Sequence, residues 1–403
     1  MTLTVRVLLG LVAGFALGWL VAAMPAGGAG SFVLAVLTPV GTIFVNLIRM
    51  TVIPLVMSLL IATLGGASAS RGLGRTGARA LLISLTLLTL AAVASGLIAD
   101  RVLSRLAIDA AASRTLTGGA PAAASTSAPS LSAWIVDLVP SNVVKAAADG
   151  AMLPLIVFSV CFGLALSEIE PSRREVVLRV VDGVAETMQR LVRRVLVLAP
   201  LGVFALAVPL ASRLGWGAAG AVVAYVALVV ALTIAAAAVL LYPLGIVASP
   251  MSAGAFLAYC APAQSIAFAS RSSLAALPAM VQSAERAKLS PHATTVILPL
   301  AASVYHFGAA VAQMVGVMFL AHLYGVPLTV LQLVSVIVAV VLATFAVPGV
   351  PGGSIIAMVP ALAVANLPLE GIGILLAVDA IPDMFRTTAN VTGSLMLAAI
   401  LPE

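Results

Sequence analysis

In a chain whose composition is mostly hydrocarbon, the stretch VDAIPDMFRTTANVTGS (378–394) gathers two carboxylates, a guanidinium, a carboxamide and several hydroxyl groups within a few turns. On an α-helix Asp379, Asp383, Arg386, Thr387, Asn390 and Ser394 fall at offsets 0, 4, 7, 8, 11 and 15, all on one side of the cylinder. The result is a polar stripe about 20 Å long. Ionised groups inside a bilayer are expensive, and several on one stripe are a functional site by default rather than a means of gluing helices together. The expectation is that the stripe binds a small charged solute and that the remaining helices carry it across a bilayer.

The elements that position such a stripe follow from composition. Of 403 residues, 62% are hydrophobic and only 8% charged, against about 25% charged in a soluble domain. The chain is therefore read as a polytopic membrane protein, with the segment from Val5 to Met24 as a retained first span rather than a cleaved signal peptide. The net charge of +6 does not indicate nucleic acid, because the basic residues sit in short inter-helix loops rather than one patch. Arg71, Arg75 and Arg79, and Arg173, Arg174, Arg179, Arg190, Arg193 and Arg194, mark loops on the side of the N-terminus, which the positive-inside rule makes cytoplasmic. Cys161 and Cys260 lie in apolar stretches and read as small core hydrophobes without a disulfide. Neither a cofactor nor a metal site is expected.

A span needs about 20 apolar residues, which places helices at 4–24, 32–66, 78–106, 148–168, 176–212 and 217–247. The second and fifth are too long for an upright crossing, so each tilts or begins with an interfacial part. Residues 116–133, rich in Ala, Ser, Gly and Pro, read as an exposed extracellular loop. Beyond residue 248 the apolar stretches are interrupted at their middles by AFASRSSLAALPAM (267–280) and ATFAVPGVPGGSIIAM (343–358). Taken alone, a Pro-Gly cluster is an ordinary inter-helix loop and SRSS a cytoplasmic turn. Apolar arms of about 15 residues on both sides favour hairpins that enter the membrane without crossing, since non-helical backbone at membrane depth must be buried in protein or face water. Hairpins at about 250–286 and 327–365, each followed by a span at about 292–322 and 368–400, form the pattern of an inverted repeat whose broken tips meet near the midplane.

These motifs together resemble the dicarboxylate/amino-acid:cation symporter family, which contains the glutamate transporters and their prokaryotic homologues. The likeness covers nearly the whole chain: NLIRMTVIPLVMSLL, VPSNVVKAAADGAMLPLIVFSVCFG, APLGVFAL, SRSSLAALP, VPGVPGG and DAIPDMFRTTANVTG. It implies an all-α, glutamate-transporter-like fold with eight transmembrane helices and two re-entrant hairpins, working as an elevator and assembled as a homotrimer in the lipid of a bacterial inner membrane. Residues 1–77 and 134–214 would form the scaffold, and 78–115 and 215–403 the mobile transport domain, with the second hairpin as extracellular gate. By the same resemblance Arg386 pairs with a side-chain carboxylate, Asp383 receives an ammonium group, and Asn390, beside Thr387, contacts the α-carboxylate and amine. Ser273, beside Ser272 at the first tip, hydrogen-bonds the solute, main-chain groups near Val350 and Ser354 at the second close over it, and Arg271 biases charge and gating at the first tip.

The chain departs from the family where sodium-coupled members carry Asn-Met-Asp-Gly-Thr. Here Tyr305, His306, Phe307, Gly308 and Ala309 stand instead, and Ser394 occupies the place of a second ion-binding aspartate. A hard cation needs several oxygen ligands, preferably with a negative charge nearby, and Phe307 supplies none. The expectation is sodium-independent transport of aspartate- or glutamate-like solutes. His306 either exchanges a proton, as imidazole does near neutral pH, or packs beside Tyr305 and fills the vacated ion site; Asp379 and Asp383 are the alternative proton carriers, and uncoupled exchange stays open. Rival readings are a C4-dicarboxylate transporter, an anion channel or binding-only relative, and an intramembrane hydrolase built from Ser273 and His306.

Overall fold

The computed structural model describes residues 3–25, 28–67, 74–105, 131–214, 216–347 and 352–401, which are helical or in turns, with no strand among them. Helices α1 (Leu3–Ala22), α2 (Ala29–Ala67) and α3 (Gly74–Leu103) lead, followed by the short α4 (Leu131–Asp137) and α5 (Val143–Ala148). Most of the loop expected at 116–133 lies outside the described residues, and its last three positions belong to α4. Next come α6 (Met152–Glu168), α7 (Pro171–Val197) and α8 (Ala199–Leu214).

The single long fifth span expected at 176–212 is two helices, α7 and α8, meeting at a 60° bend. Pro200, second in α8, has no N–H for the ladder at that point. Helix α7 carries charge along its length and α8 is apolar, so the first part of this element is amphipathic, as an interfacial segment requires.

Helix α9 (Trp216–Ala236) runs through a π turn (Ala237–Leu241) into α10 (Tyr242–Ala248). A second π turn (Ala293–Ile297) leads into α13 (Leu298–Val304), after the pair α11 (Ala253–Ser270) and α12 (Ser273–Arg286). Both π turns sit just ahead of a proline, Pro243 and Pro299. A proline lacks an N–H and crowds the carbonyl four residues back, and the ladder slips to i→i+5 bonds, Tyr242 N–H to Ala237 O and Leu298 N–H to Ala293 O. The remaining helices are α14 (Phe307–Tyr324), α15 (Val330–Thr344), α16 (Gly353–Ala357), α17 (Val359–Val364), α18 (Gly371–Val378) and α19 (Ala380–Ile400).

Among the described residues five stretches are long and apolar enough to cross a bilayer: Val5–Ala22, Ala29–Gly66, Arg79–Leu103, Ala219–Ala248 and Ala293–Tyr324. The bent α7–α8 pair makes a sixth. Helix α1 packs along α8, and α2 along α6, α7 and α8. A stripe of Gly10, Gly14 and Gly18 makes the first contact close: a Cβ on Gly14 would lie 2.8 Å from Phe204 O, one on Gly18 would lie 2.6 Å from Val208 O, and one on Gly10 would overlap Pro200 O. A second set, α3, α9, α15 and α19, surrounds α14, every residue of which is buried except His322. Two helical pairs adjoin this set, the second sharing α15 with it. In the first, α11 and α12 turn at Arg271 (φ 55°, ψ 35°) and Ser272, whose Oγ caps α12 by accepting the Ala275 N–H at 3.2 Å. In the second, α15 packs against α17, and α15 opens with a Thr329–Gln332 capping box.

Candidate functional site

The expected final span, 368–400, is broken by Asp379, which joins α18 to α19. Helix α18 packs on α1 and α8, whereas α19 packs on α9, α11 and α14, so Asp379 sits where the chain passes from one set to the other. The helical spacing holds across this junction and brings the three ionised groups of the stripe into contact. Arg386 donates from Nη1 to Asp379 Oδ1 at 2.6 Å and from Nη2 to Asp379 Oδ2 at 3.0 Å, a two-pronged pair. A further bond runs from Nη2 to Asp383 Oδ1 at 2.8 Å.

The guanidinium is 1% exposed, Asp379 4% and Asp383 9%. Its Nε is buried and has no partner. Taking such charges out of water is costly unless each is paired and hydrogen-bonded. Two carboxylates against one guanidinium leave one formal negative charge in excess.

Asn390, one turn beyond Arg386, accepts the Gly308 N–H through Oδ1 at 2.7 Å. This N–H belongs to the first turn of α14 and has no intrahelical partner, so Asn390 caps α14 from another helix. Gly308 is required here: a Cβ would lie 2.5 Å from Arg386 O and 2.6 Å from Arg386 Cα. Thr387 is buried on the same stripe. Ser394 Oγ turns back to Asn390 O at 3.1 Å and is satisfied within its own helix.

The helical backbone breaks at Tyr305 and His306, between α13 and α14. Phe307 is fully buried, with its ring 6.3 Å from that of Tyr305, and the Tyr305 ring lies where any side chain on Gly393 would be. The Tyr305 hydroxyl is buried without a partner. His306 Nδ1 lies 3.0 Å from Thr344 O and 3.2 Å from Val304 O. Carbonyl oxygens only accept, so Nδ1 carries the hydrogen.

From the hairpins, Ser354 O accepts from Gln313 Nε2 at 3.0 Å, while Val350 lies outside the described residues. Ser272 is engaged as a helix cap, and Ser273 is the first residue of α12; both are partly exposed. The stripe as folded is sealed, and a cavity of about 710 Å³ lies away from it, between α3, α14 and α15 beside the Asp100–His322 pair. The sequence reading did not single out Gln313, nor Tyr225 of α9, whose hydroxyl is buried without a partner. A lone carboxamide within an apolar helix was the available signal for Gln313, since such groups hydrogen-bond across helices in membranes.

The sequence model of the sodium:dicarboxylate symporter family matches residues 3–403. This chain belongs to that family. Among its relatives are the proton/glutamate-aspartate symporter of Escherichia coli, 29% identical over 377 residues, covering 92% of this chain and 86% of the relative. The proton/sodium-glutamate symport protein of Bacillus subtilis is 29% identical over 372 residues, covering 91% and 86%. The C4-dicarboxylate transport protein of Anaeromyxobacter sp. is 27% identical over 404 residues, covering 98% and 87%. The sodium:dicarboxylate symporter family consists of transport proteins, so this member is a multi-pass membrane transport protein and not an enzyme. The hydrolase reading of Ser273 and His306 falls with that membership.

Proposed function

We propose that this member of the family carries acidic amino acids of the aspartate and glutamate type without sodium, by an elevator movement of its second helical set against its first. The observation that carries the reading is the buried Asp379–Arg386–Asp383 cluster. Arg386 provides the fork for a solute carboxylate, and Asp383, held by a single bond and the more exposed of the two aspartates, provides the partner for an ammonium group. An amine on the solute replaces the positive charge that Asp383 gives up when the solute carboxylate takes its place on Arg386. A dicarboxylate without an amine offers no such replacement, which ranks the C4-dicarboxylate reading second.

Sodium independence rests on Phe307 and Ser394: one offers a phenyl ring where an ion ligand would be needed, and the other spends its hydroxyl within its own helix. Charge balance supports proton coupling over uncoupled exchange. The two carboxylates already exceed Arg386 by one negative charge, and a solute of net charge −1 adds a further negative charge to a buried site, which a proton would neutralise. In this reading eight spans and two re-entrant hairpins lie in a bacterial inner membrane with the N-terminus cytoplasmic. Three copies assemble, and α1, α2 and α6–α8 are the fixed scaffold.

The test is uptake of labelled aspartate into proteoliposomes, with sodium or choline as the cation and the pH gradient varied independently. Saturable uptake that is equal in both cations and rises with an inward proton gradient is the expected result. Steep sodium dependence would overturn the reading, and non-saturating conductance would replace the carrier with a channel.

A further inference from the structure

Helix α7 divides its surface three ways. Ala185, Val192, Val195 and Leu196 are buried against the rest of the protein. Val176, Val180 and Val184, at four-residue intervals, form an exposed apolar row. Arg190, Arg193 and Arg194 are exposed and fall within about 100° of one another, on the side away from the buried face. Together with Val197 they line a concavity of about 400 Å³ at the end of the helix, just before the 60° bend into α8.

The protein does not balance the charge of this concavity. Arg190 donates from Nε at 3.1 Å and from Nη2 at 2.6 Å to Glu186 Oε1. Arg193 and Arg194 have neither a carboxylate nor a hydrogen-bond acceptor among the described residues. Three guanidinium groups thus face one carboxylate. Immediately beyond them the exposed surface turns apolar at Val197, Leu198 and Leu201, and the next charged residue is Arg213.

Charge followed by hydrocarbon within one helical turn, about 5 Å, is the order in which a phospholipid presents its phosphate and its acyl chain. Guanidinium groups match phosphate oxygens with paired N–H donors. A soluble anion would cover the arginines and leave the neighbouring apolar surface bare, whereas a lipid covers both. We propose that the elbow between α7 and α8 binds one anionic phospholipid, with its phosphate on Arg193 and Arg194, Arg190 at the edge, and an acyl chain along Val197 and Leu201. The site fixes where the bilayer surface meets this part of the chain, whichever solute is carried.

The test titrates the intact protein in detergent with phosphatidylglycerol or phosphatidylcholine and counts bound lipid by native mass spectrometry. Phosphatidylglycerol should bind about tenfold more tightly or better. Arg193→Gln with Arg194→Gln should weaken it roughly 25-fold, about fivefold for each basic residue near an anionic lipid, and leave phosphatidylcholine unchanged. Arg193→Lys with Arg194→Lys, which keeps both charges, should stay within about threefold of the parent. The same loss of charge in Arg173→Gln with Arg179→Gln lies about 16 Å or more away along the helix, beyond a Debye length of about 10 Å, and should change binding less than about twofold.

Equal losses in the two glutamine pairs would reduce the effect to general attraction and overturn the site, as would equal affinity for the two lipids. Displacement of the lipid by inorganic phosphate at the same concentration would overturn it in favour of a soluble anion. If the Arg193→Gln, Arg194→Gln protein keeps its lipid and changes its number of copies per assembly, the concavity is a contact between copies and the proposal fails.

Discussion

In the proposed reading Arg386 is the residue on which recognition depends, and it then has two duties that one substitution separates poorly. Arg386→Ala removes the fork and leaves Asp379 and Asp383 as unpaired buried carboxylates. Aspartate binding measured by calorimetry should disappear, and stability should fall by about 3–5 kcal/mol. Arg386→Lys keeps the charge and loses the planar two-pronged geometry, so it should retain most of the stability while weakening aspartate roughly 10–100-fold. Undiminished affinity in either variant would remove Arg386 from the site. Asp383→Ser should shift preference from aspartate toward succinate, read by competition against labelled solute, because the ammonium partner is gone while the fork on Asp379 stays intact. Gly308→Ala would press a methyl group into the Arg386 backbone and should cost about 3 kcal/mol in chemical denaturation. Much of the stripe was legible at this scale, since 3.6-residue periodicity alone places Asp379, Asp383 and Arg386 on one side. Their mutual pairing was not legible, because spacing says which side chains can meet and says nothing of whether a solute or a neighbour holds them.

At the scale of elements, the contact of α1 with α8 depends on three positions without side chains. Gly14→Leu would separate two helices whose backbones approach within the reach of a single Cβ. Melting in detergent should drop by several degrees or more, as expected for overpacking by about 2 kcal/mol, whereas substitution at Gly220, with nothing near its Cβ direction, should cost far less. The hairpin turn at SRSS was readable in the sequence, because small polar residues interrupt an apolar run, and it falls at Arg271–Ser272. The bend at Leu198 and the two π turns were not read, although prolines follow each closely. A proline marks where a ladder loses a donor, but neighbouring helices decide whether the helix kinks, slips or continues. The place of Gln313 depends on Ser354, 41 residues later in the chain, which no local pattern encodes.

At the scale of the whole molecule, solute binding that closes a gate should stabilise the protein by mass action. Aspartate at about a hundredfold over its dissociation constant should add roughly 2.7 kcal/mol, and the rise in melting temperature should be the same in sodium and choline. A rise seen in sodium alone would count against the proposed sodium independence and the reading of Phe307 as the loss of an ion ligand. The ionic cluster also bears on how the chain is made. Its members lie three and seven residues apart on neighbouring turns of one helical stretch, so the counter-charges accompany Arg386 from the moment that stretch coils. The nascent segment can present Arg386 to the insertion machinery with its positive charge already paired, before any other part of the protein has arrived, so that one net negative charge rather than three separate ionised groups has to be accommodated in lipid.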